Sequence, residues 1–219
     1  MLVGIAGGSC SGKEQIRKAL VRVLDRNPYT VDGFTMDNYY VCASARDLPK
    51  GEWNFDCLKA FDLDLLEKHL VLVKEGQNVE IPIYSKDPSD RIGDFKYYPS
   101  QINLVDGILL LATKTIRNLF DFTVFVDVSE KTLRVRRIIR DSDLEGRTEE
   151  SIDAHLIATV LPAHRALVLP TKDFAHEKVE NNMHWDQALP FEESEAGRSI
   201  IHFLKQKIIE AADAFFKGR

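Results

Sequence analysis

The chain has 219 residues, of which 44% are hydrophobic and 29% charged, a balance that fits a folded globular protein and excludes general disorder. Lysine and arginine total 29 against 34 acidic residues, for a net charge of -5, which disfavours a nucleic-acid coat or a basic membrane-surface binder. The longest clearly apolar run, Ile108 to Ala112, falls far short of the ~18 residues of a bilayer span. The first eight residues lack the basic and apolar regions of a signal peptide, and Cys10, Cys42 and Cys57 form no C-x-x-C pair, so a soluble, cytoplasmic protein with no membrane or nucleic-acid partner is expected.

In chain order, Leu2-Val3-Gly4-Ile5-Ala6 reads as a buried strand running straight into Gly7-Gly8-Ser9-Cys10-Ser11-Gly12-Lys13. Helical periodicity follows from Ile16 to Leu24 and stops at Asn27-Pro28. A second strand passes through Val31 and Phe34 to Met36, and a polar stretch runs from Asp37 to Asp56. Leu63 to Lys74 is a helix ended by Glu75-Gly76. Val79 to Tyr84 pairs with Phe95 to Tyr98 as a hairpin, with Pro88 and Gly93 in the intervening loop.

Ile102 to Leu111 is the strongest buried strand, and Thr123 to Val128 is another, leading into a helix from Glu130 to Asp143. A further helix runs from Thr148, its N-cap, to Val160, with Glu149 and Glu150 in its first turn. Glu180 to Gly197 reads as a polar, acidic loop, and a last helix spans Ser199 to Phe216. Strands alternating with helices indicate a parallel sheet covered on both faces.

Gly7-x-x-x-x-Gly12-Lys13 between a strand and a helix is most of a Walker A phosphate loop. Its backbone N–H groups and the helix N-terminus suit phosphate oxygens, and Lys13 reaches the outer phosphates. A glycine-rich turn that binds nothing is the bland alternative. Where the motif has a hydroxyl that ligates Mg²⁺, this chain has Glu14. A carboxylate can bind Mg²⁺ but adds negative charge beside the phosphates; otherwise Glu14 turns outward in the first helical turn, where acids are favoured.

At ~100° per residue, Arg136, Arg137 and Arg140 share one face of the helix after Glu130, opposite Val135, Ile138 and Ile139. With Gly146-Arg147 beyond them, these cations suit a lid closing on transferring phosphates; taken alone a solvated charged face is the preferred reading, and only the further motifs below tip it to the lid.

Downstream motifs refine the class. Val3 to Ser9, Met36-Asp37-Asn38-Tyr39-Tyr40, Asn54-Phe55-Asp56 and Ile81-Pro82-Ile83-Tyr84 come first. Asp106 to Leu110, Arg136 to Asp141, Gly146-Arg147 and Leu169-Pro170-Thr171-Lys172 follow. Together they resemble the uridine–cytidine kinase family of P-loop nucleoside kinases over nearly the whole chain.

The resemblance implies an α/β, P-loop NTPase-type three-layer sandwich in one domain spanning residues 1–219. A small β-hairpin flap would occupy residues 79–101 or so, and a helical lid residues 136–150 or so. It also implies transfer of the γ-phosphoryl of ATP (or GTP), with Mg²⁺, to the 5′-hydroxyl of uridine or cytidine, and a homo-oligomer, since relatives are often oligomeric. By the resemblance, Asp37 is the general base, with an Asx turn as its bland alternative; Lys13 and Arg140 are the charges at the reaction. Gly7 to Glu14 hold the nucleotide. Asp56 and Arg137 clamp the ribose, and Tyr40 and Tyr84 line the nucleoside pocket or are plain core tyrosines. Arg147 also lies at the substrate. Asp106 stands for a family glutamate near Mg²⁺, on a shorter arm.

Five positions depart from the family pattern: Glu14 at the metal, Ser89 for a histidine on the base, and Glu145 for a lid arginine. His155 replaces a glutamine near the substrate, and Glu180-Asn181-Asn182 replaces a Pro-Arg-Gly segment near the adenine. The changes fall on metal, lid and nucleobase rather than on the sugar. Alongside a working pyrimidine nucleoside kinase stand two alternatives: a degenerate nucleotide binder, and a kinase of another small hydroxylated substrate. The histidines lack zinc spacing; His176 and His184 are read as surface residues. Phe215 and Phe216 are either core or interface.

Overall fold

The computed structural model describes residues 1–25, 28–46, 53–183 and 189–218, with the backbone alone at 144 and 145. Strand β1 (Leu2–Gly7) is buried throughout because its alternating side chains serve opposite faces: Leu2 and Ala6 join one apolar cluster, Val3 and Ile5 the other. Helix α1 (Lys13–Leu24) follows the glycine loop, then β2 (Val31–Thr35) and α2 (Leu63–Lys74). The antiparallel hairpin is β3 (Val79–Ser85) and β4 (Asp90–Tyr97). Next come β5 (Ile102–Gly107), the single turn α3 (Lys114–Arg117), β6 (Phe122–Asp127) and α4 (Glu130–Glu145). Helix α5 (Glu149–Phe174), β7 (Glu177–Glu180) and α6 (Glu195–Lys217) complete the order.

The sheet runs β2-β5-β1-β6-β7, all parallel. On one face, α1 and α6 bury Ile16, Leu20, Leu24, Ile201, Leu204 and Ile208 against Val3 and Ile5. On the other, α2 and the hairpin bury Leu66, Leu70, Val79 and Ile81 with Leu2 and Ala6. These are the three layers of a doubly covered α/β fold. Phe216 stacks on Tyr29 with ring centroids 5.2 Å apart, and Phe215 meets Phe216 edge-on, so both pack on the α1–α6 layer.

Side-chain caps set the helix starts, at α5 on the expected Thr148 and at α6 on Ser194, ahead of the expected start at Ser199. Ser129 Oγ accepts the Thr132 N–H at the start of α4, and Thr148 and Ser194 do the same for Ser151 and Gly197 at α5 and α6. Gly146, at φ 61°, ends α4 in the left-handed conformation that glycine adopts freely.

Several boundaries differ from the sequence reading. Strand β5 ends at Gly107 rather than Leu111; Ile108 to Leu111 leave the sheet yet stay buried, and an unbroken apolar run carries no signal of that turn. The second hairpin strand starts at Asp90, and Gly93 lies within it opposite Ile83. The helix expected to stop at Val160 continues to Phe174, with two widened stretches at Leu156–Val160 and His164–Val168. By length and composition alone this helix is apolar enough to cross a bilayer; here Leu156 and Val160 pack on Leu133. The segment read as a loop from Glu180 to Gly197 contains the end of β7 and the start of α6. Strand β7 escaped notice because of its four residues only Val179 is buried.

Candidate active site

Parallel strands present their C-terminal ends on one side, where ligands of α/β folds bind. Here that edge carries the glycine loop after β1, Asp37 just beyond β2, and Asp106 in β5, in register with Thr35 and Ile5. Gly12 caps α1 at φ 88°, and a Cβ there would lie 2.6 Å from Asn181 Nδ2. A Cβ on Gly8 would lie 2.8 Å from the His164 ring. Neither position accepts a side chain without displacing a neighbour, so the loop packs closely against the Asn181 and His164 side chains. The Lys13 ammonium donates to the Gly8 carbonyl at 3.4 Å.

A cavity of about 720 Å³ opens above this edge. Ser9, Cys10, Gly12, Lys13 and Glu14 line it together with Asp37, Tyr40, Asp56, Tyr84, Ser89, Asp106, Arg137 and Arg140. Gly7, Gly8 and Ser11 build the loop behind it. The Asp37 N–H donates to Thr35 Oγ1 at 3.2 Å, so Thr35 caps this turn and the Asp37 side chain does not make the Asx turn weighed from sequence. That contact leaves the carboxylate uncommitted: its Oδ1 is buried without a hydrogen-bond partner among the described residues.

Arg137, on the buried line of α4 with Leu133 and Asp141, links α4 to the glycine loop and to Asp56. It donates to Asp141 Oδ2 and Ser9 Oγ, both at 3.0 Å, and its Nη1 lies 3.8 Å from Asp56 Oδ2. Burial raises the Asp56 carboxyl, while Arg137 and Lys13 pull against it. The apolar side of α4 points outward instead: Val135 is 50% and Ile139 43% exposed. Arg136 reaches the Cys10 and Ser11 carbonyls at 3.3 and 3.4 Å, so the cationic face of α4 lies against the phosphate loop.

Aromatic rings wall the far end. Tyr40 stacks on Phe61 at 4.3 Å and meets Tyr84 at 5.0 Å and Phe55 at 5.5 Å. Tyr84 Oη and Ser89 Oγ are hydrogen-bonded at 2.8 Å. Arg46 lies over Phe55, 5.3 Å from its centroid, donates to Tyr84 Oη at 2.8 Å and to Ser89 Oγ at 3.2 Å, and also reaches the Ser89 carbonyl.

Two expected substrate residues stand outside the cavity lining. Arg147 turns back to Ser151, donating to its carbonyl at 3.1 Å and its hydroxyl at 3.3 Å. His155 is half-buried; burial lowers its pKa, as do the charges of Arg137 and Arg147. His176 is exposed, its Nδ1 2.7 Å from Thr123 Oγ1. His184 and the Glu145 side chain lie outside the described residues.

The two carboxylates expected at a metal are both already paired. Glu14, which lines the cavity, contacts the Lys18 ammonium at 2.6 Å in a half-exposed pair. Asp106 accepts from Arg17 Nε at 2.6 Å and from Thr35 Oγ1 at 3.4 Å. Burial pushes the Asp106 carboxyl up to about 6, against the pull of Arg17 and Lys13. Among the described residues no three His, Cys, Asp or Glu side chains converge as a metal site. A magnesium ion in a kinase is held by one or two carboxylates together with substrate phosphates, and the carboxylates of Asp37 and Asp106 both border this cavity.

Sequence reasoning missed Arg17, Arg46 and Asn181 as parts of the site. Asn181 was noted only as a departure, yet it is buried and donates to the Ser11 carbonyl at 2.8 Å. Arg17 lies one helical turn after Lys13, a spacing that could have flagged it. Arg46 had no signal at all.

The model of the Phosphoribulokinase / Uridine kinase family matches residues 2–186, and the chain belongs to that family. It is 36% identical to a uridine kinase of Shewanella amazonensis over 179 residues, covering 80% of this chain and 84% of that one. It is 33% identical to uridine-cytidine kinase 2-B of Danio rerio, covering 80% and 70%. The fold is similar to phosphoribulokinase from Rhodobacter spheroides, with a TM-score of 0.65 at 14% identity, covering 89% of this chain and 74% of that one. It is also similar to D-glycerate 3-kinase from Cryptococcus neoformans, with a TM-score of 0.63 at 13% identity, covering 84% and 85%.

Proposed function

We propose that this kinase-family chain transfers the γ-phosphoryl of ATP, or GTP, to the 5′-hydroxyl of a pyrimidine nucleoside, uridine or cytidine. The observation that carries the reading is Asp37: its unpartnered, buried carboxylate oxygen shares one cavity with Lys13 and the glycine loop. Asp37 takes the proton of the acceptor hydroxyl as that oxygen bonds to phosphorus and the β–γ bridging bond breaks. Lys13 and Arg140 lie beside the charge that moves to the leaving diphosphate. Asp56 and Arg137 hold the sugar hydroxyls, and Tyr40, Phe55 and Tyr84 enclose the base. The free cysteines accord with a reducing, cytoplasmic setting.

Ser89 and its Arg46 contact favour one second reading, a kinase whose acceptor is another small alcohol. A thermal-shift panel separates the two. Stabilisation by uridine or cytidine, strengthened by ATP, supports the nucleoside reading. A shift with ATP and a non-nucleoside alcohol, and none with either nucleoside, contradicts it.

A further inference from the structure

We infer that Arg46 sets the hydrogen-bond polarity at the base end of the cavity. With Arg46 behind them, Tyr84 and Ser89 donate to a carbonyl on the pyrimidine edge, and the site takes uridine in preference to cytidine. The inference rests on the nucleoside reading above and narrows its acceptor to a base with an oxygen at the 4-position.

Tyr84 and Ser89 line the cavity, and Arg46 lies outside its lining. Arg46 Nη1 donates to Ser89 Oγ at 3.2 Å. The Nη2 protons are shared among Tyr84 Oη at 2.8 Å, the Val41 carbonyl at 3.2 Å and the Ser89 carbonyl. Ser89 is 2% exposed and held at φ 68°, a left-handed conformation uncommon outside glycine, with Arg46 bonded to both its hydroxyl and its carbonyl. The hydroxyls of Tyr84 and Ser89 are bonded to each other at 2.8 Å. Both hydroxyl oxygens thus face one guanidinium.

That arrangement decides what the pair can offer. Two hydroxyls carry two protons and about four lone pairs. Arg46 engages a lone pair on each oxygen, and the bond between the hydroxyls uses another lone pair and one proton. One proton is left, whichever hydroxyl donates to the other. The lone pair that also remains sits on an oxygen already bonded to a full positive charge. A donor approaching it would bring its own positive end towards the guanidinium. A carbonyl approaching the free proton meets the opposite field, strengthened by the bonds behind it.

Uracil and cytosine differ at the 4-position, where uracil has an accepting oxygen and cytosine a donating amino group. That position lies across the ring from the nitrogen that carries the sugar. A base whose sugar is held at Asp56 and Arg137 therefore turns it to the far end, towards Tyr84 and Ser89. Arg46 touches no substrate atom in this scheme; it is a positioning residue that acts through the two hydroxyls.

The test is calorimetric titration of the full chain with uridine and, separately, with cytidine. The wild type is expected to bind uridine about tenfold or more tighter. Equal affinities, or tighter binding of cytidine, would overturn the proposal. Binding of neither nucleoside would overturn the nucleoside reading beneath it, so the two failures are distinct. Arg46→Ala is expected to bring the two dissociation constants within about threefold of each other, mainly by weakening uridine. A residue that only braced the wall would weaken both nucleosides alike, so an unchanged ratio in folded Arg46→Ala would overturn the role of Arg46. Should that variant not fold, Arg46→Gln keeps a polar side chain without the charge and is expected to lose the preference as well. A full preference for uridine in Arg46→Gln would overturn a role resting on the charge.

Discussion

Arg46 shows how much of the site depends on single side chains drawn from distant parts of the chain. Its guanidinium joins the Val41 carbonyl at 3.2 Å to Tyr84 and Ser89 on the hairpin. It supports the wall of the cavity and does not face the phosphates. Arg46→Ala is therefore expected to raise the KM for the acceptor about tenfold with kcat little changed, since charge-assisted bonds of this kind carry about 1.5–3 kcal/mol. Steady-state kinetics with nucleoside varied checks this; a fall in kcat at unchanged KM would contradict it. Asp141 makes a second prediction at this scale. Burial alone would raise its carboxyl, but the bonds and charges of Arg140 and Arg137 reverse that and hold it below its ordinary 3.8. A depressed carboxyl stabilises the fold above its unfolded pKa and loses that contribution as pH falls through the folded value. Asp141→Asn should thus be less stable at pH 7, on the order of 3 kcal/mol for a broken buried pair. The gap to the wild type should narrow below pH 4 or so, as urea unfolding at several pH values would record. Arg46 escapes a sequence reading because its partners Tyr84 and Ser89 lie 38 and 43 residues away, and no periodicity links such positions.

Elements were legible where their signal is local. The strand, glycine loop and helix at the start of the chain stand out because burial, turn residues and helical spacing change within a few residues. Helix α2 shows the expected bounds, Leu63–Lys74, for the same reason. Strand β7 was not legible because Glu177, Lys178 and Glu180 read as surface; its pairing comes from the backbone of β6, which supplies hydrogen bonds whatever the side chains. Helix α4 inverts the usual rule. Its most buried line after Leu133 is Arg137 and Asp141, so the hydrophobic period pointed away from the face that matters. Strand β2 carries a sharper test. A Cβ on Gly33 would lie 2.3 Å from the Leu104 carbonyl, so Gly33→Ala must push β2 from β5. Overpacking of this kind costs about 1–3 kcal/mol. The same shift moves the Gly33 carbonyl off Arg17 and Asp37 off the cavity. A lowered melting temperature together with weakened turnover is expected; an unchanged melting temperature would show that β2 yields freely.

At the scale of the molecule, the sheet gathers groups far apart in the chain along one edge: the glycine loop, Asp37 and Asp106. Helix α4 then brings its arginines against that edge, where Arg137 approaches Asp56 and Arg136 approaches the loop. The ordered motifs made the family readable from sequence. The internal pairing of the metal-side carboxylates was not, because it depends on β5, β2 and α1 meeting. The central claim is that these parts form a working kinase despite Glu14 and Ser89. The most direct test is ADP release with ATP and uridine or cytidine, run beside Asp37→Asn. The account predicts nucleoside-dependent turnover that the substitution lowers by about 10²-fold or more, the range for loss of a general base. Folded protein that releases no ADP with either nucleoside, or an Asp37→Asn variant that turns over like the wild type, would contradict it.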